Sequence, residues 1–173
     1  MILGKEFFTR PATELAPLLL GKYLCRKTQE KVIKVRITET ECYFGEEDSA
    51  CHAHKGRTER TEVMYGEGGR AYVYLCYGMH NMLNITTGNE GHPEAVLIRG
   101  VEGIIGPGRV TKALDIDRGL NRALLSLESG LWIEDDGYVA KYKTDVRVGI
   151  GYADPCDRDR QGRYIALGDG YEG

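Results

Sequence analysis

The sequence predicts an α+β fold built on an antiparallel sheet, and three observations lead to it. Residues 32–43 alternate apolar and polar side chains, as a half-buried strand does. Two further extended segments, residues 71–76 and 82–87, are joined through residues 77–80, which predicts a hairpin. Strand-like and helix-like segments do not alternate regularly, which favours α+β over α/β. The length is typical of one domain, and we expect residues 1–173 to form it.

The first predicted helix lies near the N-terminus. Thr13 is a residue type that favours the N-cap of a helix, and Gly21 ends the segment as a glycine commonly does. Pro17 then falls in the first turn, where its missing amide hydrogen costs little. The sequence therefore predicts a short helix between Thr13 and Gly21.

The strand at residues 32–43 continues from apolar into acidic side chains. One parity of the strand consists of Ile33, Val35, Ile37, Glu39, Glu41 and Tyr43. A carboxylate on an inward face is costly unless it is paired or functional. One interpretation is therefore a general base whose pKa is tuned by its surroundings. The alternative is that the strand bends after Thr38 and that both carboxylates point into solvent.

The remaining elements follow toward the C-terminus. Residues 95–99 predict a short apolar strand. Residues 106–114 predict a helix with a proline in its first turn, a position that proline favours. Apolar residues within 120–127 have helical spacing and predict a second helix. Residues 131–133 and 138–142 flank an Asp-Asp-Gly turn and predict a hairpin.

Charge and composition narrow the classes of function. The chain has 23 basic and 26 acidic side chains and a net charge of -3. Residues 128–173 hold 6 basic and 10 acidic side chains, a balance of -4, which argues mildly against a nucleic-acid binder.

The sequence shows no apolar run near the ~18 residues of a spanning helix and no apolar signal core. Its 5 cysteines have no repeated spacing. We expect a cytoplasmic protein with reduced thiols, nucleoid-associated if bacterial, and neither secreted nor membrane-bound.

Tyrosines are concentrated within a third of the chain. The group consists of Tyr43, Tyr65, Tyr72, Tyr74 and Tyr77. One interpretation is sheet packing, since tyrosine favours strands. The other is a stacking pocket for a planar ring, because a base stacked on an aromatic side chain gains ~1–3 kcal/mol. Tyr77 falls at the predicted hairpin turn, from which an exposed aromatic side chain could insert between base pairs.

Cys42, Cys51, His52 and His54 raise the alternative of a metal-dependent hydrolase. A tetrahedral zinc site needs two ligand pairs at suitable spacing, and the sequence has no second Cys-x-x-Cys or His-x-x-x-His pair. We therefore predict no metal site. The sequence also lacks the phosphate-loop, nucleophile-elbow and nicotinamide-binding motifs, which excludes those enzyme classes.

Several ordered strings are specific enough to indicate a family. They are Glu39-Thr-Glu41-Cys-Tyr43, His52, Ala71-Tyr-Val-Tyr-Leu-Cys-Tyr-Gly-Met-His80, Asn84-Ile85, Val96-Leu-Ile-Arg99, Gly106-Pro-Gly-Arg-Val-Thr-Lys-Ala-Leu114 and Arg147-Val-Gly-Ile-Gly151. Together they resemble the alkyladenine family, the 3-methyladenine (methylpurine) DNA glycosylases, over nearly the whole chain. The resemblance implies a single mixed domain around a curved antiparallel sheet with a protruding β-hairpin. It also implies a monofunctional glycosylase that acts on damaged purines in double-stranded DNA.

The resemblance assigns the chemistry to three residues. Glu41 matches the family's catalytic acid, which positions and deprotonates a water. Arg99 and the backbone carbonyl of Val148 match the groups that hold this water. An ionised carboxylate would also stabilise an oxocarbenium-like sugar, as in sugar glycosidases. Because water is the nucleophile, the family resemblance implies no Schiff-base lysine, no strand cleavage and no cofactor.

The resemblance assigns base recognition to five more residues. Tyr43, His52 and Tyr74 match the walls and the hydrogen-bonding group of a pocket for the flipped base. Asn84 matches a residue that clashes with the exocyclic amine of normal guanine. Tyr77 matches the hairpin side chain that fills the gap left in the stack.

Four basic residues are candidates for phosphate contacts, namely Arg57, Arg60, Arg109 and Lys112. The chain departs from the family pattern in a short 101–106 segment, at His80 and Asn81, and in its acidic segment from Asp154 onward. Two further alternatives stay open, a catalytically silent nucleic-acid-binding module and a small-molecule enzyme that uses the same fold. We expect a monomer, since the sequence shows no heptad repeat and no long apolar surface pattern.

Overall fold

The computed structural model of the protein describes residues 1–168. Its strands are β1 (Tyr23–Lys27), β2 (Val32–Tyr43), β3 (Ala71–Cys76), β4 (His80–Thr87), β5 (Glu94–Val101), β6 (Ile104–Ile105), β7 (Leu131–Glu134), β8 (Lys141–Asp145) and β9 (Arg163–Leu167). Its helices are α1 (Ala12–Leu18), α2 (Glu62–Tyr65), α3 (Pro107–Ala113) and α4 (Pro155–Arg158). Short 3₁₀ segments lie at Lys5–Thr9, His52–Lys55 and Arg118–Leu120. The predicted α+β class is confirmed, with antiparallel strand pairing throughout these residues.

The sheet is curved because its longest strand changes partners along its length. The strand order is β3-β4-β5-β2-β1-β7, with β6 added to β5 and with β9 paired to both β2 and β8. Residues 32–36 of β2 pair with β1. Residues 39–41 pair instead with β9, while β5 occupies the other edge of β2. The sheet therefore curls into a half-barrel, which confirms the predicted curvature.

The main core lies on one face of this sheet. Helix α1 packs on β2 and β5, and α3 packs on β4 and β5. The core includes the fully buried side chains of Phe8, Leu15, Leu83, Ile98 and Leu114. Within residues 1–168, no helix has both the length and the apolar character needed to cross a membrane.

Strands β2 and β5 are both irregular near the middle of their pairing. The partners there are Ile37 with Val101, Glu39 with Gly100 and Thr40 with Ile98. Ile37 and Thr40 are three positions apart, which would put them on opposite faces of a regular strand. Both are buried on the core side, where Thr40 donates its hydroxyl to the carbonyl of Ala16 in α1 at 2.7 Å. The irregularity therefore reverses which side chains of β2 face the core.

Glu39 and Glu41 consequently lie on the face opposite the main core. The alternation predicts that they share the face of Ile37, and this prediction is wrong because the irregularity shifts the parity. The alternative, in which both carboxylates point into solvent, is also wrong, since Glu39 is 7% and Glu41 0% exposed. Both carboxylates are buried in a second, more polar layer of the structure.

The helical predictions are partly correct. Helix α3 lies where residues 106–114 predict it. Helix α1 begins earlier than Thr13 predicts, because the carbonyl of Pro11 already accepts the first helical hydrogen bonds, and Pro17 therefore falls in its last turn. The predicted helix over 120–127 is wrong, and only the 3₁₀ segment ending at Leu120 forms there.

The predicted hairpin between residues 131–133 and 138–142 is also wrong. Strand β7 pairs with β1, and β8 pairs with β9. Lys22 holds the segment between them, since its ammonium donates to the Asp135 carboxylate at 2.7 Å and to the Tyr138 carbonyl at 3.0 Å. This anchor directs the chain away from β7 before the next strand begins.

Candidate active site

A cavity of about 440 Å³ lies on the polar side of the sheet. Strands β2, β3, β4 and β5 form one side of it, and segments 50–52 and 148–152 form the other. This volume is within the range of small-molecule sites, ~300–1,000 Å³. The elements that the family resemblance assigns to chemistry and recognition therefore meet around one cavity.

Aromatic rings form the wall of the cavity. The centroids of His52 and Tyr74 are 4.6 Å apart in an edge-to-face arrangement, and Tyr43 lies in the same lining. Tyr72 also lines the cavity, and its hydroxyl lies 2.7 Å from Nδ1 of His52. The sequence places Tyr72 in the tyrosine group but gives it no site role. Its partner is 20 positions away, so sequence spacing gives no signal for this contact.

His52 is neutral at physiological pH. Burial of the ring, with the Arg60 cation as a smaller cause, lowers the pKa of His52 to about 4. A neutral imidazole has one donor and one acceptor nitrogen, and Tyr72 occupies one of them. His52 can therefore offer a single directed hydrogen bond through its other nitrogen.

Asn84 lies on β4 in the cavity lining and is 4% exposed. Its amide nitrogen donates to the backbone carbonyl of Tyr72 at 3.2 Å, across the β3–β4 pair. This bond fixes the direction of the side chain. A rigid amide in a pocket wall can exclude a ring substituent by contact.

Glu41 lies directly behind the cavity wall. Its Oε1 accepts the Tyr43 hydroxyl at 3.0 Å, its Oε2 accepts the Val148 backbone N–H at 2.6 Å, and Nη1 of Arg99 lies 3.7 Å from Oε1. Tyr43, Arg99 and Val148 all line the cavity, whereas Glu41 is fully buried. The structure therefore brings together all three residues assigned to chemistry. For Val148, the observed contact with Glu41 is through the amide rather than the carbonyl.

Opposing effects act on the acidity of Glu41. Burial is the largest and raises the pKa of its carboxyl above the usual value for glutamate. The Arg99 cation, the Val148 N–H and the Tyr43 hydroxyl each lower this pKa. A carboxylate that is buried yet stabilised by three polar partners has the environment of a catalytic base.

Tyr77 lies at the tip of the β3–β4 hairpin, beside the cavity mouth. The hairpin is confirmed, although β4 begins at His80 rather than at Met82. Tyr77 is 89% exposed and has a φ of 51°, and Gly78 follows with a φ of 66°. Two positive φ values match a type I′ turn, which the Met79 N–H closes by donating to the Cys76 carbonyl at 3.1 Å. A tyrosine in this left-handed region is strained, and such strain is concentrated at functional sites.

The four candidate phosphate contacts have different surroundings. Arg57 is already paired with Glu62 through two hydrogen bonds of 2.6 Å. Arg60 stacks over Tyr74 at 5.1 Å and lines the cavity. Arg109 and Lys112 are exposed on α3, which packs on β4 beside the hairpin.

The four residues of the metal alternative are engaged separately. Cys42 belongs to the main core, whereas Cys51 packs beside the cavity, and burial raises the pKa of each thiol to about 11. Nδ1 of His54 lies 2.7 Å from the carbonyl of Glu46, and His52 contacts Tyr72. No three His, Cys, Asp or Glu side chains converge on a metal position within residues 1–168.

A buried ion pair that sequence reasoning missed supports one side of the cavity. Arg147 and Asp48 are joined by hydrogen bonds of 2.6 and 2.9 Å, and both side chains are fully buried. The Arg147 guanidinium also lies 5.0 Å from the Tyr43 ring centre and donates to the Cys42 carbonyl at 2.8 Å. The pair therefore connects the end of β2 to the segment that carries Val148.

The fold and the cavity define a class of protein. A half-barrel sheet carries an aromatic pocket, a buried carboxylate with an arginine beside it, and an exposed tyrosine on a hairpin tip. A mostly apolar pocket with a buried ionisable group beside it is typical of an enzyme active site.

Comparisons with known proteins identify the family. The methylpurine-DNA glycosylase (MPG) family profile matches residues 6–105. Two relatives named "Putative 3-methyladenine DNA glycosylase", from Psychrobacter cryohalolentis and Methanocella arvoryzae, are each 42% identical to this chain, with 88% of this chain and 86% of the relative covered. A relative of the same name from Borreliella afzelii is 40% identical, with 96% of this chain and 97% of the relative covered. The chain belongs to the methylpurine-DNA glycosylase family.

Proposed function

We propose that this protein is a monofunctional purine DNA glycosylase that starts base excision repair. Its substrates are alkylated or deaminated purines in duplex DNA, of the 3-methyladenine, hypoxanthine and ethenoadenine class. The observation that carries the proposal is Glu41, a buried carboxylate in contact with three residues that line the aromatic pocket, namely Tyr43, Arg99 and Val148. Burying a carboxylate is costly, and use of the group as a base would account for its retention here.

The reaction begins with extrusion of the damaged nucleotide, because the glycosidic bond cannot be attacked inside the stack. The flipped base stacks among Tyr43, His52 and Tyr74, and Asn84 excludes the exocyclic amine of guanine. Tyr77 occupies the gap and offsets part of the unstacking cost. The described lining of the cavity contains two arginines and no lysine, in keeping with water rather than an amine as the nucleophile.

Ionised Glu41 then has two functions. Its negative charge stabilises the oxocarbenium-like sugar as the purine departs. It also takes a proton from a water held by Arg99 and by the carbonyl of Val148. An alkylated purine is already cationic and leaves readily, whereas hypoxanthine needs a hydrogen bond or protonation on the ring. We assign this hydrogen bond to neutral His52, whose ring lines the cavity.

Excision from defined duplexes tests the proposal. Purified protein is incubated with duplexes that contain one hypoxanthine or one 3-methyladenine, and strand breaks are counted before and after alkali. We expect breaks only after alkali, because release of the base by water leaves an intact strand. Lesion binding without base release would identify a silent binding module. Neither binding nor release would favour the small-molecule enzyme.

Excision should survive removal of divalent metals. We expect dialysis against EDTA to leave the rate unchanged, because the proposed water activation uses Glu41, Arg99 and the Val148 carbonyl. The measurement pairs the excision rate with elemental analysis. Stoichiometric zinc whose removal abolishes activity would support the alternative of a metal-dependent hydrolase.

Tyr77→Ala should weaken the binding of a lesion duplex by ~1–3 kcal/mol, the value of one stacking interaction. The side chain is 89% exposed, so the loss of affinity should not come with a loss of stability. Affinity is measured at several salt concentrations. The slope of log affinity against log salt concentration should be nearly that of the parent, because the phosphate contacts are unchanged. A variant that binds and excises like the parent would show that the hairpin does not intercalate.

Arg109→Gln provides a matched control for this measurement. This side chain is exposed on α3 beside the hairpin and is a candidate for a phosphate contact. Loss of the Arg109 charge should lower the affinity for DNA. It should also reduce the slope of log affinity against log salt concentration by about one. The two variants together therefore separate stacking from phosphate binding.

A further inference from the structure

Charged side chains alternate in sign from the candidate base to the outer strands. Arg99 is held by Glu39, with its Nε 3.3 Å from Oε1 of that carboxylate. The same Oε1 accepts Nη1 of Arg163 at 3.0 Å. Arg163 also donates from Nη2 to Asp145 at 2.8 Å. The order is Glu41, Arg99, Glu39, Arg163 and Asp145, and each neighbouring pair has opposite charge.

The distances within this chain of charges are unequal. Arg99 makes a hydrogen bond with Glu39 but lies 3.7 Å from Glu41, beyond hydrogen-bond distance. Glu39 is 7% exposed and fixed from its other side by Arg163, whose Nε also donates to the backbone carbonyl of Val146 at 2.8 Å. Glu39 therefore holds Arg99 in a position short of direct contact with the candidate base.

We propose that Glu39 is a positioning residue that restrains Arg99, keeping Glu41 open to the attacking water, and that Arg163 balances the charge of Glu39. This inference rests on the proposed function. Without the restraint, Arg99 would form a direct ion pair with Glu41 in the place that the water requires. Without Arg163, Glu39 would attract Arg99 more strongly. The Arg99 cation would then lower the pKa of Glu41 less.

The other groups that face Glu41 stay constant over the relevant pH range. Tyr43 and Tyr152 are neutral, because burial raises the pKa of each phenol above its usual value. Arg147 stays cationic, as guanidinium groups do in proteins. Two cations act directly on the pKa of Glu41, Arg99 and Arg147, and the second is paired with Asp48. Glu39 and Arg163 are linked to Glu41 through Arg99.

The first test measures the titration of Glu41 by carboxyl ¹³C NMR in DNA-free protein, with the signal assigned by its loss in Glu41→Gln. We expect Glu39→Gln to move the midpoint down by about one pH unit, because Arg99 is then drawn to Glu41 alone. Arg163→Gln should move it up by a similar amount. Arg158→Gln, an exposed arginine paired with Asp159, is the matched control and should leave the midpoint unchanged.

The second test measures single-turnover excision at the pH plateau, where Glu41 is ionised in all variants. Glu39→Gln should slow excision about tenfold, less than the ~10²-fold that a 1 Å misplacement can cost, although its Glu41 ionises more readily. The plateau excision rate of Arg163→Gln should be nearly that of the parent. Glu39→Gln in an Arg99→Gln background should cause no further loss, because the effect acts through Arg99.

The results distinguish this inference from the proposed function. A parent protein that excises no lesion would refute the proposed function, while the NMR titrations would still report how the charges of Glu39 and Arg163 act on Glu41. The restraint is refuted if Glu39→Gln excises at the parental plateau rate. It is equally refuted if both substitutions move the midpoint in the same direction, or if the loss from Glu39→Gln adds fully to that from Arg99→Gln.

Discussion

Glu41→Gln should bind a lesion duplex with near-parental affinity, while single-turnover excision falls by ~10²-fold or more. The substitution keeps the shape of the side chain and removes its charge, and Glu41 itself does not line the pocket. Base recognition should therefore survive. The loss affects the activation of water and the stabilisation of the cationic sugar, which both require an ionised group. The measurement pairs a binding isotherm with a single-turnover rate on one hypoxanthine duplex.

Glu39→Gln is the matched control, because Glu39 lies two positions away on the same face of β2 and is also buried. Its loss of rate should be much smaller than that of Glu41→Gln. Equal rates for Glu41→Gln and the parent, or a larger loss for Glu39→Gln, would show that the chemistry belongs to a different carboxylate.

The melting temperature of Glu41→Gln should also report the cost of burying Glu41. Burial raises the pKa of this carboxyl in the folded state, so the folded protein binds its proton more tightly than the unfolded chain does. The stability that this bound proton contributes is fully present below the pKa of Glu41 in the unfolded chain. It is lost as pH rises through the pKa of Glu41 in the folded protein. Glutamine does not ionise, so Glu41→Gln should have a higher Tm than the parent at neutral pH. The difference should shrink as pH falls toward ~4, the ordinary range of glutamate.

The elements that the sequence predicts well are those specified by local pattern. Strands β2 and β3 have the predicted bounds, and the hairpin at Tyr77 forms where two extended segments flank a short turn. Pro107 and the glycine on either side of it likewise mark the start of α3 locally. The residues assigned by the family resemblance meet around one cavity, although no spacing rule relates Glu41 to Val148, which is 107 positions away.

The errors arise where distant contacts override local pattern. The alternation of side chains along one strand cannot reveal an irregularity that is set by pairing with another strand. It therefore predicts the wrong face for Glu39 and Glu41. The spacing within 120–127 resembles a helix, yet Leu124 and Leu127 are 49% and 56% exposed. These side chains have no core surface to cover, and most helical stability comes from such packing. Arg147 belongs to a recognised motif, but its partner Asp48 is 99 positions away and gives no signal in sequence.

Asp48→Asn should lower the free energy of unfolding by ~3–5 kcal/mol, because it leaves the Arg147 cation buried without a counter-charge. Asp48 also accepts the backbone N–H of Phe44 and of Ala50, each at 3.1 Å, so it orders the loop that leads into the pocket. Chemical denaturation of parent and variant measures the change. The matched control is Asp159→Asn in the exposed pair with Arg158, where solvent screens the charge and little change is expected.

Replacing both partners separates the stability of this pair from its function. In Asp48→Leu with Arg147→Met, no charge is left buried, so stability should recover much of the loss seen for Asp48→Asn. Excision should not recover, because Arg147 no longer packs over Tyr43 or anchors the segment whose Val148 N–H contacts Glu41. A double variant that regains parental excision would show that the ion pair has no part in shaping the site. Continued loss of excision in a stable protein would instead place the pair among the groups that hold Glu41 and the pocket wall in register.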